Sequence, residues 1–327
     1  MTDEHGRAGG PVGVLVMAHG VAAGIGDIPR YYAHIRGDRP RNPAVEQELV
    51  DRYQAIGGRS PLIEITDEVA RRLEEELARR HGPDCYRVAF GFHHAAPYIG
   101  DALGQLRAAG AVRYVGLVQA PHYSTMSVGA YERAAEAGPL PGHTIRGWHT
   151  EPRLVALLAD RVREAAGRLP VPLEDAAVAF TAHSLPERVR AAGDPYPGQL
   201  AETAAAVAAA LGLATYDVGW QSAGRTSEAW MGPDVLELLR TWARARRPAA
   251  LVAPVGFVAD HLEVLYDLDV EARALAESLK LPFARTRSLN ADPQFVRVLA
   301  DVIDRDERDE RDERDGRQRL EENAADA

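Results

Sequence analysis

The stretch GFVADHLEVLYDLDVEA, residues 256–272, gathers the side chains best suited to chemistry. Its apolar spacing predicts a helix starting at Asp260, after a strand and a glycine turn. On that helix Glu263, Asp267 and Glu271 stand at i, i+4 and i+8, on one face. A row of acids alone is most often a solvated stripe. Here Glu263 lies among apolar neighbours in HLEVL, where a carboxylate is costly unless it binds something. The stripe also begins at the end of a strand, where α/β sheets form their sites. Such a row is a plausible path for a hard divalent cation. The second candidate is His183, which closes the run AVAFTAH and precedes Ser-Leu-Pro. A lone histidine there is more often a structural hydrogen-bonder than a catalyst. At the edge of a cleft, an imidazole near its reference pKa can be neutral at pH 7, ready to take a proton or bind a metal.

The third feature is the segment 30–62, with Arg30, Arg36, Arg39, Arg41, Arg52 and Arg59 interleaved with Tyr31, Tyr32 and Tyr53. Guanidinium forks recognise carboxylates bidentately, and aromatic rings contact flat apolar ligands. A plain basic surface patch explains the composition equally well. Other chemistries are missing from the sequence. There is no HExxH, no paired Cys/His spacing, no GxSxG and no GxGxxG. The single cysteine, Cys85, excludes an internal disulfide and an all-cysteine metal site, and reads as a core residue. Lys280 is the one lysine, with no glycine-rich loop beside it, which removes P-loop and Schiff-base chemistry.

Short apolar runs at 12–18, 86–91, 113–120, 143–148, 175–182, 214–220, 248–255 and 282–286 alternate with amphipathic segments. Helices are expected at 43–56, 66–80, 97–109, 125–138, 153–168, 197–211, 233–246, 260–277 and 292–303, with Thr66 capping the second. This alternation predicts an α/β protein with parallel sheets covered on both faces. The strand ends VLVMAHG and AVAFTAHS match, as do LVQAPHYS and LVAPVGF. The chain therefore reads as two similar Rossmann-like, doubly wound domains, each on a parallel four-stranded sheet, spanning 12–155 and 156–303. His19, His122, His183 and the segment after Val255 would line a cleft between them. Residues 304–327 read as a charged, disordered tail outside the fold.

Half of the formal net charge of −10 falls in that tail, which holds 11 acids and 6 arginines. The acidic balance argues against nucleic acid as a partner. No run approaches a membrane span, and the polar start MTDEHGRAGGP contains no apolar signal core. A soluble cytoplasmic protein is expected.

The segments DRYQAIGGRSPL, APHYSTMSVGAY, FTAHSLPERV, GDPYPGQL, GWQSAGRTSEAWMGPDV and PVGFVADHLEVLYDLD occur in the order found in the ferrochelatase family. The chain resembles that family over about residues 12–303, and most resembles the coproporphyrin III ferrochelatases of monoderm bacteria. The resemblance implies insertion of Fe2+ into coproporphyrin III in haem biosynthesis. Ferrous iron and the porphyrin are then substrates, no organic cofactor is needed, and a monomer is expected, with downstream haem-pathway enzymes as potential partners. By the same resemblance His183 is the active-site histidine and Glu263 its glutamate partner. Asp267 and Glu271 form an outer metal path, and propionate contacts fall at Arg36, Arg52, Tyr53, Ser60, Tyr131 and Ser222. This chain has His19 where the branch usually has tyrosine facing the porphyrin metal, and His93 where close relatives often have lysine. A histidine at 19 is expected to be able to ligate the iron. Protoporphyrin IX as the substrate, a haem- or porphyrin-binding protein without catalysis, and a cobalt chelatase acting on a sirohydrochlorin-type ring are the alternatives.

Overall fold

The computed structural model describes residues 9–37, 40–224 and 226–325, and side chains as far as 317. Eight strands form two four-stranded, wholly parallel sheets. The first comprises β1 (Val12–Ala18), β2 (Tyr86–Phe92), β3 (Arg113–Val118) and β4 (Gly142–Ile145), in the order β2-β1-β3-β4. The second comprises β5 (Ala177–His183), β6 (Asp217–Gln221), β7 (Ala250–Ala253) and β8 (Phe283–Arg285), in the equivalent order β6-β5-β7-β8. The repeated order bears out the duplicated α/β architecture expected from the matching strand ends. Strand β1 is buried at every position, as a strand covered by helices on both faces must be.

The covering helices of the first half are α1 (Ile28–Arg36), α2 (Pro43–Ala55), α3 (Leu62–His81), α4 (Ile99–Ala108) and α5 (Val128–Glu136). Those that follow are α6 (Pro152–Ala166), α7 (Glu187–Ala191), α8 (Tyr196–Leu211) and α9 (Val235–Arg244). After β7 come the short α10 (Leu262–Val264), a π-helical stretch Leu265–Ala272, and α11 (Arg273–Ser278). The last helix is α12 (Pro293–Ala325). One apolar core runs through both halves, joining Val14 and Val16 of β1 to Val178 and Phe180 of β5 and to Phe295 and Leu299 of α12.

Several sequence expectations need correction. Helix α3 begins at Leu62, so Thr66 is not its cap. Pro61 precedes the first turn, and Thr66 is buried inside the helix, its hydroxyl donating to the Leu62 carbonyl at 2.7 Å. Helix α1 is absent from the expected elements, although Pro29 suits a first turn and Ile28 and Tyr32 give it a buried stripe. Arg39 lies outside the described residues. The largest correction concerns the tail. Residue 304 does not end the fold, because α12 continues to Ala325 and its first charged turns are docked. Asp304 pairs with Arg80 at 2.8 Å and His81 at 2.7 Å, Asp306 with His143 at 2.8 Å, Glu307 with Arg113, and Arg305 with Glu151. These partners come mostly from the first half, so α12 ties the second half to the first. A sequence window without large apolar residues hid this, because the docking is ionic.

The docking carries a pH signature. The hydrogen bond and charge of Asp306 outweigh burial and raise the pKa of His143 above 6.5. The folded state therefore holds that proton more tightly than the unfolded chain. The stabilisation is complete below pH 6.5 and fades as pH rises through the raised value. His143→Gln should remove this pH dependence. Denaturant unfolding of wild type and variant should diverge below pH 6.5 and converge at alkaline pH; parallel curves would argue against the docking role.

Candidate active site

In open parallel sheets, ligands bind beyond the carboxyl ends of the strands where the order reverses. Both central strands, β1 and β5, put a histidine there: His19 follows β1 and His183 ends β5. The loop after β7 brings the third component. Gly256 donates its N–H to the Thr181 carbonyl at 3.0 Å, so close that a Cβ there would lie 2.4 Å from that of Ala182. This approach sets Phe257, His261 and Glu263 beside His183. The ring centroids of Phe257 lie 6.3 Å from His183 and 5.2 Å from His261.

Glu263 Oε2 lies 3.6 Å from His183 Nε2 and 3.5 Å from His261 Nε2. On its other side His183 Nδ1 donates to the Ser184 carbonyl, and the His183 carbonyl accepts from Tyr196 Oη at 3.0 Å. The ring is therefore held at both nitrogens, with one edge open to the cleft. Burial alone would lower the pKa of His183, but the charge and hydrogen bond of Glu263, the Ser184 carbonyl and Asp267 overcome it and raise the value to about 9. Burial likewise opposes the charge on Glu263, and His183 and His261 offset it, holding its pKa well below the usual carboxylate range. The pair therefore rests as imidazolium and carboxylate, because a lone imidazole and one beside a carboxylate titrate differently.

His19 is the opposite case. Solvent reaches its ring from the cleft, yet enclosure on the other sides outweighs the pull of Glu263 and lowers its pKa to about 4, helped by His183, His93 and His261. Its Nδ1 lies 3.3 Å from the Tyr131 hydroxyl. Burial, and less strongly the charge of Glu263, raise the pKa of Tyr31, Tyr53, Tyr131 and Tyr196, so that carboxylate acts on residues of both halves.

Behind Glu263, the π-helical stretch keeps the acids in line. Asp267 is buried and accepts from Ser222 Oγ at 2.5 Å, and Arg52 Nη1 lies 3.7 Å from its carboxylate. Ser222 adopts φ 61°, a left-handed conformation uncommon for a non-glycine residue. Burial pushes the pKa of Asp267 up to about 7, with Glu263 and Glu271 adding to the rise and Ser222 and Arg52 opposing it. Arg52 also stacks over Tyr266, 4.8 Å from the ring centroid. Single π turns inside helices recur at functional sites.

The ferrochelatase family model matches residues 11–307. The chain belongs to the ferrochelatase family. Relatives of this ferrochelatase include the coproporphyrin III ferrochelatase of Bacillus subtilis, 42% identical over 299 residues, covering 89% of this chain and 96% of that protein. The coproporphyrin III ferrochelatase of Geobacillus kaustophilus is 45% identical over 299 residues, covering 89% of this chain and 94% of that protein. Among solved structures, SirB from Bacillus subtilis with Fe3+ superposes with a TM-score of 0.55 at 11% identity, covering 90% of this chain and 94% of the other. CbiX, the terminal enzyme for biosynthesis of sirohaem in denitrifying bacteria, does so at 0.53 and 16%, covering 89% and 98%. At such identities these two share the fold alone.

Within this ferrochelatase, the sequence-derived residues fall into groups. His183 and Glu263 touch. His19 and Tyr131 pair across the cavity, while Asp267 gathers Ser222, Arg52 and the field of Glu271. Tyr53 is fully buried, and its hydroxyl is committed to the Ala22 carbonyl at 2.9 Å. Ser60 is buried, with no hydrogen-bond partner for its hydroxyl among the described residues. Arg36 lies over the Tyr32 ring, 5.8 Å from its centroid. His122 does not line the open cleft. It is buried against Thr203 Oγ1 at 2.8 Å, and burial lowers its pKa to about 3. Asp260 does not start the helix; it accepts from Ser288 and Asn290 at 2.8 Å each and pairs with Arg285 at 3.3 Å. His261 was missed. Read as helix, it stands two residues before Glu263 on another face, but 257–261 is irregular backbone that turns both side chains together. Among the described residues, no three His, Cys, Asp or Glu converge as a closed metal site.

Proposed function

We propose that this ferrochelatase inserts Fe2+ into coproporphyrin III to give Fe-coproporphyrin III, with both iron and porphyrin as substrates, in the cytoplasm and as a monomer. The observation that carries the reading is the His183–Glu263–His261 cluster facing a neutral His19 across one cleft. In a family member with relatives more than 40% identical named for this reaction, the cluster supplies what the exchange requires. In the reaction two inner N–H protons leave as one Fe2+ enters, so the site must take up protons and admit a cation.

The resting pair holds one proton between His183 and Glu263. A cation approaching along Glu271, Asp267 and Glu263 would compete for the negative charge that keeps His183 protonated. Loss of that proton to solvent leaves the imidazole able to accept one from a pyrrole N–H, pass it to solvent and then accept the second, so that both inner protons leave as the cation enters. Asp267, partly protonated near neutrality, would release its own proton as the cation arrives. Arg52, Arg36, Ser60, Tyr53, Tyr131 and Ser222 are assigned to the peripheral carboxylates, and binding energy there supports bending of the ring toward the metal. Of these, Tyr53 is fully buried with its hydroxyl on the Ala22 carbonyl, so it would act by supporting the neighbouring Arg52 rather than by touching a carboxylate, and Ser222, engaged by Asp267, would serve by position. No helix among the described residues is long and apolar enough to cross a membrane.

The test is Fe2+ insertion by the purified protein into coproporphyrin III and protoporphyrin IX, followed by loss of porphyrin fluorescence. Faster turnover of coproporphyrin III is expected. A preference for protoporphyrin IX would sink the substrate assignment, and binding without insertion would sink the enzymatic one. His19 gives a separate readout. With Nδ1 at Tyr131, Nε2 remains to face the metal, and the ring is neutral at pH 7. His19→Tyr should retain insertion activity but shift the absorption spectrum of the bound product. An unchanged spectrum would show that His19 does not ligate the iron.

A further inference from the structure

Four histidines of the first half, none used to handle protons above, gather with His19, His93 and His34 each packed on His94. The His19 and His94 ring centroids are 4.7 Å apart, those of His93 and His94 4.4 Å, and those of His94 and His34 5.2 Å. At the outer end His34 Nδ1 and His94 Nδ1 stand 3.1 Å apart. Two separate elements converge here. Backbone bonds from His93 N to the Ala18 carbonyl and from His94 N to the His19 carbonyl fix His94 against the end of β1. His34 comes from α1, and its ring stacks on Tyr98 with centroids 5.2 Å apart and planes at 23°. The rings are thus oriented before anything binds.

We propose that His34 and His94 form a second cation site, outside the His183–Glu263 pair, for a borderline first-row divalent ion such as Ni2+, Cu2+, Zn2+ or Co2+. Imidazole nitrogens bind such ions at about 2.0–2.1 Å, so two of them on one ion lie about 2.9 Å apart at a right angle and about 3.3 Å at a tetrahedral one. The observed 3.1 Å falls between these values. The alternative occupant of that gap is a single shared proton. His34 is exposed, which gives an ion access from solvent. No third protein ligand joins them among the described residues, so water would complete the coordination and binding would be modest. The site needs no assumption about the chelatase reading, since it is defined by two nitrogens and tested by binding alone.

The test uses the full chain without a polyhistidine tag, carrying His183→Ala and Glu263→Gln to silence the reacting pair. Titration calorimetry with Ni2+ should detect a binding event that His34→Gln weakens at least fivefold, and that His94→Gln weakens independently. A change below fivefold in either variant, with unaltered circular dichroism, overturns the proposal. Cu2+ electron paramagnetic resonance gives a second readout. Nitrogen hyperfine structure from two imidazoles is expected in the His183→Ala, Glu263→Gln background and should be lost on His34→Gln; its persistence would place the ion elsewhere.

Discussion

His183→Ala should lower Fe2+ insertion by roughly 10²- to 10⁴-fold, the span that a positioned acid–base group contributes, while porphyrin affinity changes little. The ring is held by the Ser184 carbonyl on one side and Glu263 on the other, and Tyr196 fixes its backbone. His261 shares Glu263 Oε2 with His183 but comes from the loop after β7, and His19 belongs to the opposite sheet, so neither replaces a ring fixed at the end of β5. Single-turnover insertion and fluorescence titration of the porphyrin separate the two effects. A variant within tenfold of wild type would remove His183 from the chemistry. Porphyrin binding lost in parallel with activity would make it a docking residue instead.

Glu263→Gln should have an effect of comparable order through a different cause. The amide keeps the shape of the side chain but removes the charge that holds the proton on His183 and draws the cation inward. The raised pKa of His183, about 9, depends chiefly on that charge against the opposing effect of burial. With the charge gone, the His183 titration should fall well below about 9, because burial is then opposed only by the Ser184 carbonyl and Asp267. Imidazole NMR titration of wild type and variant reads this shift directly. The stability consequences have opposite signs for the two partners. The raised His183 contributes fully below its unfolded value of 6.5 and loses that contribution as pH rises through about 9. The depressed Glu263 contributes above 4.5 and loses it as pH falls through its lowered value. Wild type should therefore exceed the variant in stability most clearly between about pH 4.5 and 6.5, a window set by the two unfolded values. An unshifted His183 titration would mean that Glu263 does not control the proton.

A pair that rests in the charged state changes the view of the site. Neutral His19 and charged His183 face each other although both follow a central strand in equivalent positions. What separates them is one carboxylate. Among the described residues the first half has no carboxylate in contact with His19, so the two equivalent sheets carry charge on one side only. That asymmetry gives the cleft one face suited to protons and cations and another suited to neutral coordination.

The sequence by itself determined the sheets. Continuous apolar runs such as VGVLVMA and AVAFTA, spaced by amphipathic stretches, leave parallel strands covered on both faces as the way to bury them. The repeated strand-end histidines likewise located the cleft, because the carboxyl edge of such a sheet is set by chain direction. Tertiary structure decided what local pattern cannot carry. His261 joins Glu263 only because irregular backbone follows the close approach of Gly256 to Ala182. His122 looks like a cleft residue by position and is buried against Thr203 of α8, a helix remote in sequence. The charged end of α12 reads as solvated until Arg80, His81, Arg113 and His143 meet it from the other half. Periodicity reports which face of an element is apolar, whereas protonation state and ionic docking depend on which distant charge arrives within a few ångströms, and only the folded chain sets that distance.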